Sequence, residues 1–332
     1  MIPLIDIAAL FGADSPARRA ADAAIMAAAA DAGFMTVTGF DALAAPPPSA
    51  LLRIFSLPEA EKRRLWRQTF APDHANVYRG WFPLQPGSAT WKEGIDMGPD
   101  IAGPARAGAE DPLLEPTPLP EEAALPGWRA QAAAYYRAME TAGQALMRAL
   151  ARGLDLPEGF FDAAFAGGIS TLRLIRYPER PAESLDGVAE DKMWVSHQGR
   201  RMYLVGAPHV DSGFVTLLAQ DGVEGLQARA HSGEWITVPP APGTLAVNFG
   251  KLLETWSGGR IRATEHRVVG AGRERHSVPF FYEPRVDALI APLPGRAAFP
   301  PVLYGDHLWA LMTRFIEFRG LEALRPPRRI AS

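Results

Sequence analysis

The chain has 332 residues, a formal net charge of −3 and no cysteine. The length allows a sizeable buried core, in one large domain or two smaller ones, and the absence of cysteine excludes disulfides and thiolate metal sites. The chain is weakly acidic and has no basic stripe, so we expect it to bind neither nucleic acid nor anionic membrane. It shows no signal pattern and no apolar run of membrane length, so we expect a cytoplasmic protein.

Residues 1–169 are predicted to form an α/β support region. Short strands are expected at residues 2–7 and 34–37, on either side of a helix over residues 16–31 that Pro16 begins. The stretch 98–126 is rich in proline, glycine and acids and is predicted to be loop. Residues 128–150 then form a long amphipathic helix whose apolar stripe is expected to pack on a sheet.

The pattern changes at Ser170. Short runs rich in β-branched and aromatic residues alternate with Gly and Pro turns over residues 170–290. About eight strands at this spacing predict a mainly β protein with helical support, whose core is a double-stranded β-helix, or jelly roll. Residues 291–332 are predicted to form a C-terminal helix and tail.

Three residues within this core have the pattern of a metal site. His209 and Asp211 are two apart, so on an extended strand both side chains point the same way. His266 begins a later predicted strand, which a closed sheet can bring to the same point. Two histidines and one carboxylate are the ligand set for a mononuclear non-haem Fe(II) with open coordination positions, so we predict that these residues are the metal ligands.

Arg275 and Ser277 follow His266 after a glycine turn. They would lie on one face of the next strand, where a guanidinium beside a hydroxyl makes a good carboxylate receptor.

The order of these and other motifs resembles the isopenicillin N synthase-like branch of the 2-oxoglutarate/Fe(II)-dependent oxygenases. The motifs that carry the resemblance cover most of the chain and include Ile2-Pro3-Leu4-Ile5-Asp6, Gly33-Phe34-Met35, His209-x-Asp211, Gly225-Leu226-Gln227, Asn248-x-Gly250, His266-Arg267-Val268 and Arg275-x-Ser277. Two positions depart from the pattern, because relatives commonly have a polar amide at Ile175 and an aspartate at Lys251.

The resemblance implies a dioxygenase that uses Fe(II), O₂ and 2-oxoglutarate, with ascorbate as a possible reductant, to oxidise a C–H bond of a small molecule. Hydroxylation is the expected outcome. Arg275 and Ser277 would bind the far carboxylate of 2-oxoglutarate, and Tyr177 would contribute to the same pocket. Two alternatives remain open: an oxidase like isopenicillin N synthase that needs no 2-oxoglutarate, and a jelly roll that holds metal without turnover.

The substrate side is predicted from fewer residues. By resemblance, Arg79 and Trp81 belong to the segment that lines it, and Arg173 shares a strand face with Tyr177. Two guanidiniums there would favour a substrate that bears a carboxylate. The polar insertion at residues 191–201 is expected to be a lid or a surface loop. The oligomeric state is left open.

Overall fold

The computed structural model describes residues 1–88, 90–104, 111–270, 272–293 and 299–328. Its α-helices are α1 (Pro16–Ala30), α2 (Pro48–Leu52), α3 (Glu59–Arg63), α4 (Trp128–Gly153), α5 (Asp162–Phe165), α6 (Glu190–Met193), α7 (Lys251–Trp256) and α8 (Tyr304–Met312). Its strands are β1 (Leu4–Asp6), β2 (Phe34–Thr38), β3 (Gly80–Phe82), β4 (Glu93–Met97), β5 (Thr171–Tyr177), β6 (Trp194–His197), β7 (Arg200–His209), β8 (Val215–Gln220), β9 (Leu226–Arg229), β10 (Trp235–Thr237), β11 (Leu245–Phe249), β12 (His266–Gly270), β13 (Arg275–Tyr282), β14 (Leu289–Ile290) and β15 (Val302–Leu303).

Most strands form two sheets that face each other. The major sheet has the order β1-β2-β11-β8-β13-β5-β4-β3, and the minor sheet has the order β10-β9-β12-β7-β6. Apolar side chains of both sheets meet between them, among them Ile175 of β5, Val205 of β7 and Val268 of β12. This is the predicted jelly roll. The face of the major sheet that points at the minor sheet is called the inner face below.

The long helix α4 covers the other face of the major sheet. Its predicted apolar stripe is buried, and the ring of Tyr136 meets that of Phe280 at 5.0 Å between centroids. Gly143 allows close packing, since a Cβ there would lie 2.6 Å from Cγ of Tyr282. The helix continues to Gly153, slightly past the predicted end. None of the helices in the described part of the chain is long and apolar enough to cross a bilayer.

The N-terminal region does more than support the jelly roll. Strands β1 and β2 extend one edge of the major sheet, and β4 and β3 extend the other. The division at residues 169 and 290 stays a prediction, but the sheet runs across the first of these boundaries.

The insertion at residues 191–201 is regular structure in the part that is described. Strands β6 and β7 form a hairpin at the edge of the minor sheet, and the turn between them places Gln198 and Gly199 at positive φ. Trp194 stacks on Tyr203 at 4.0 Å, which fixes the hairpin's register. The insertion is therefore not an irregular loop, and a role as a lid stays a prediction.

Candidate active site

The three predicted metal ligands converge at one end of the jelly roll. His209 ends β7, Asp211 lies in the loop that follows, and His266 begins β12 opposite His209 in the strand ladder. Nε2 of each histidine lies 3.6 Å from Oδ1 of Asp211. One ligand atom from each residue lies within 4.8 Å of the others, which leaves room for a single ion between them. The structure thus brings the three predicted residues together, and their role as metal ligands stays a prediction.

Two residues that the sequence prediction did not assign hold the carboxylate of Asp211. Thr216 Oγ1 and Asn248 Nδ2 donate hydrogen bonds of 2.6 and 2.7 Å to Oδ2. Oδ1 is thereby left to face the histidines. Burial would raise the pKa of Asp211, but His266, His209 and the two hydrogen bonds outweigh it and lower the pKa. The group is therefore ionised, as a metal ligand must be.

Both histidines are oriented through their other ring nitrogen. Nδ1 of His209 lies 2.8 Å from the carbonyl oxygen of Ala207, and Nδ1 of His266 lies 3.1 Å from that of Thr264. Because Nδ1 donates to a carbonyl, the lone pair of Nε2 is free for a metal. Burial, followed by repulsion from His266, lowers the pKa of His209 and favours the neutral ring. The His209 side chain is 52% exposed and that of His266 only 8%, so the site opens on the His209 side.

The backbone around Asp211 explains the Asn248-x-Gly250 motif. A Cβ at Gly250 would lie 2.3 Å from the carbonyl oxygen of Gly213, so only glycine permits this approach. The amide of Lys251 donates to the carbonyl of Asp211 at 2.7 Å. Any residue but proline can make that bond, which accounts for lysine at this position. Its side chain points outward and pairs with Glu254.

Arg275 and Ser277 are buried on the inner face of β13. Arg275 donates to Oε1 of Gln220 and to the carbonyl of Val223, both at 3.3 Å, and its Cζ lies 5.3 Å from the centre of the Tyr177 ring. Its Nη1 is buried without a hydrogen-bond partner in the described part of the chain. A buried guanidinium N–H without an acceptor is costly, so the site fits an anionic ligand such as the carboxylate of a keto acid. Gln220 is a contact that the sequence prediction missed.

Ile175 of β5 is a neighbour of Ser277 on the inner face. It pairs with Ser277 across the ladder and is 6% exposed, among the apolar residues between the sheets. The isoleucine therefore gives an apolar wall where relatives commonly have an amide.

Arg173 faces the inner side, as strand alternation predicts, but an internal carboxylate already holds it. Its Nη2 lies 2.7 Å from Oδ2 of Asp96, and Nε bonds the other oxygen. Arg67 bonds the same carboxylate and also reaches Glu317 at 3.2 Å. Burial would raise the pKa of Asp96, but Arg173 and Arg67 lower it to about 2. Asp96 therefore stays charged and forms an ion pair with the guanidinium of Arg173, which was predicted to bind substrate.

Arg79 is also engaged internally. It is fully buried, and it donates to Thr171 Oγ1 at 2.6 Å and to the carbonyl of Ile169 at 2.9 Å. Thr171 donates in turn to Glu283, which also accepts from Tyr304. The predicted substrate contact of Arg79 is thus replaced by a structural one.

Trp81 is not brought to the site. It is fully buried in the core on the far face of the major sheet, where its ring meets that of Phe55 at 5.4 Å. Side chains alternate along β3, so the residue that faces inward is Phe82, in the cluster between the sheets. The expectation that Trp81 walls the cavity was wrong by one strand position.

Comparison with known proteins agrees with the geometry. A family model described as the 2OG-Fe(II) oxygenase superfamily matches residues 172–284, and one described as the N-terminal region of a non-haem dioxygenase in morphine synthesis matches residues 2–122. The chain is 30% identical over 324 residues to a 2-oxoglutarate-Fe(II) type oxidoreductase of Emericella nidulans, covering 92% of this chain and 87% of the relative. It is 29% identical over 316 residues to isopenicillin N synthase of Streptomyces clavuligerus, covering 92% and 93%.

Solved structures show the same fold. A full-length Neurospora crassa protein in complex with alpha-KG superimposes with a TM-score of 0.72 at 25% identity, covering 92% of this chain and 94% of that one. The complex of the same protein with alpha-KG and thymine gives a TM-score of 0.76 at 23% identity, covering 95% and 97%.

Proposed function

The chain belongs to the 2OG-Fe(II) oxygenase superfamily, and from this premise we propose that it oxidises a C–H bond of a small molecule with Fe(II), O₂ and 2-oxoglutarate. It is an oxidoreductase of this family. The observation that carries the proposal is the convergence of His209, Asp211 and His266 on one point. When bound, iron and the keto acid supply the activation of O₂, coupled to decarboxylation of 2-oxoglutarate.

The residues of the chain have separate tasks in this proposal. The triad would hold the iron through Nε2 of each histidine and Oδ1 of Asp211. Arg275, through its unpartnered Nη1, and Ser277 would bind the far carboxylate of the keto acid. Tyr177 packs against the guanidinium, with its ring centre 5.3 Å from Cζ of Arg275. These contacts would hold the far carboxylate of the keto acid at β13.

Hydroxylation of the substrate and a cytoplasmic location are further parts of the proposal that rest on the resemblance and the composition. The preference for a carboxylate-bearing substrate can no longer rest on Arg79 and Arg173. Both are held by groups of the protein itself.

The test is a substrate screen of the purified full chain under Fe(II), ascorbate and O₂, read by release of succinate. We expect turnover that needs 2-oxoglutarate and that is lost in His266→Ala. Substrate-dependent O₂ uptake without the keto acid would instead assign an oxidase like isopenicillin N synthase. A wild-type chain that binds neither Fe(II) nor 2-oxoglutarate would overturn the proposal.

A further inference from the structure

Three cations surround the ring of Phe82 on the inner face. The Cζ atoms of Arg67 and Arg173 lie 5.2 and 5.6 Å from the ring centre, and Nζ of Lys92 lies 6.0 Å from it. The ring therefore lies among three cations, two of which pair with carboxylates of the protein.

Lys92 differs from the other two cations in its partners. Arg67 and Arg173 share the carboxylate of Asp96. Among the described residues, no carboxylate lies within ion-pair distance of Lys92 Nζ, and no hydrogen bond is made to it. Glu93, the next residue, points to the opposite face, where it pairs with Lys62 at 3.6 Å and Arg176 at 3.1 Å.

The position of Lys92 relates it to the metal site. It directly precedes β4, in alternation with Gly94 and Asp96, so it belongs to the inward-facing set, and it is half-buried. Phe82, the ring that Lys92 contacts, belongs to the same cluster between the sheets as Phe34, and the ring of Phe34 meets that of His266 at 5.8 Å. The ammonium therefore lies beside the apolar cluster that reaches the candidate metal ligands.

We infer that Lys92 binds a carboxylate of the primary substrate, with Phe82 and Phe281 beside the apolar remainder of the molecule. A half-buried ammonium without an internal counter-charge favours binding of an anion. The aromatic ring next to it disfavours an anion that is strongly hydrated. Phe281 lies on the same face, with its ring 5.4 Å from Cζ of Arg173. Arg275 is set apart for the keto acid by its distinct contacts with Gln220 and Tyr177. The inference rests on the proposed function for the location of the site.

The test compares matched acids and amides. The anaerobic full chain is saturated with Fe(II) and 2-oxoglutarate and titrated with benzoate, phenylacetate, hexanoate and decanoate, and with the primary amide of each. We expect at least one acid to bind at least tenfold more tightly than its amide. In Lys92→Met this preference falls at least fivefold, and in Lys92→Arg most of it is kept. Lys192→Met removes the same charge from an exposed helix and is the matched control, in which the preference is unchanged.

Three outcomes would overturn the inference. They are a wild type that prefers no acid over its amide, a Lys92→Met variant that keeps the full preference, and a Lys92→Met variant whose affinity for 2-oxoglutarate falls as far as its affinity for the acid. The last would assign Lys92 to the keto acid. In each case Fe(II) and 2-oxoglutarate still bind to the wild type, so failure here is distinct from failure of the proposed function.

Discussion

At the scale of single residues, the candidate metal centre depends on the different partners of the two carboxylate oxygens of Asp211. Oδ2 is held by Thr216 and Asn248, and Oδ1 faces both histidines. The two donors also favour the ionised carboxylate, since hydrogen bonds to the charged form lower its pKa. They therefore set both the direction and the charge of the ligand without touching the metal.

We predict that Thr216→Val and Asn248→Ala each weaken Fe(II) binding by about 10- to 100-fold, the usual effect of removing a group that orients a ligand. The affinity is measured by anaerobic titration of the apoprotein. Thr69→Val serves as a control, because that hydroxyl bonds the carbonyl of Glu317 and not the carboxylate of Asp211. Unchanged iron affinity in both test variants would show that the loop alone orients Asp211.

Arg275 gives a second prediction at this scale. Replacing it with leucine removes a charge-assisted contact worth on the order of 2–4 kcal/mol, so the dissociation constant for 2-oxoglutarate should rise roughly 30- to 1000-fold. Arg275→Lys keeps the charge but loses the planar guanidinium. Its dissociation constant for 2-oxoglutarate should therefore lie between those of the wild type and the leucine variant. Iron binding should stay as in the wild type. If the leucine variant binds the keto acid as tightly as the wild type, Arg275 is not part of the binding site for the keto acid.

At the scale of elements, β4 shows where prediction from sequence succeeds and where it fails. The strands of the jelly roll that end or begin at His209 and His266 were predicted because their apolar runs are local and lie between turn residues. β4 (Glu93–Met97) was not, since it is fully buried yet contains two carboxylates. Those charges are balanced by Arg67, Arg173 and Arg176, which are far away in the chain. Only the fold brings them together.

The same long-range pairing explains the errors on the substrate side. The sequence shows that Arg173 faces inward but not that Asp96 already holds it. It also does not show that Trp81 packs in the core behind the major sheet while Phe82 faces inward. The convergence of the triad could be predicted in spite of such long-range pairing, because His209 and Asp211 are close in sequence and a metal site needs few residues. The sequence gives no signal for the hydrogen bonds of Thr216, Asn248 and Gln220, because each depends on a partner that the fold supplies.

Asp96 gives the prediction that belongs to these elements. Asp96→Asn leaves the buried guanidinium of Arg67 and the partly buried one of Arg173 without this charge, and breaking a buried pair in this way costs about 3–5 kcal/mol of unfolding free energy. Urea denaturation measures the loss. Glu59→Gln breaks the exposed pair with Arg63 and should change stability by less than about 1 kcal/mol. A similar small change in both variants would contradict the buried network.

At the scale of the whole molecule, one buried acid connects the end of the major sheet to the C-terminal helix. Glu283, just after β13, accepts from Thr171 of β5 and from Tyr304 of α8. Burial raises its pKa from 4.5 to about 7, against the opposing effects of Tyr304, Arg79 and Thr171. The folded protein therefore holds a proton there that the unfolded chain has already released near neutral pH.

This difference predicts how stability depends on pH. A carboxyl whose pKa is raised in the folded state stabilises fully below its unfolded pKa of 4.5, and this contribution is lost as pH rises through about 7. Its size is at most on the order of 3 kcal/mol. Glu283→Gln stays neutral, so the unfolding free energy of the wild type relative to this variant should decline between pH 4.5 and 7 and then level off. Guanidinium denaturation across that range measures it, and parallel curves for the two proteins would mean that Glu283 is ionised in the fold throughout.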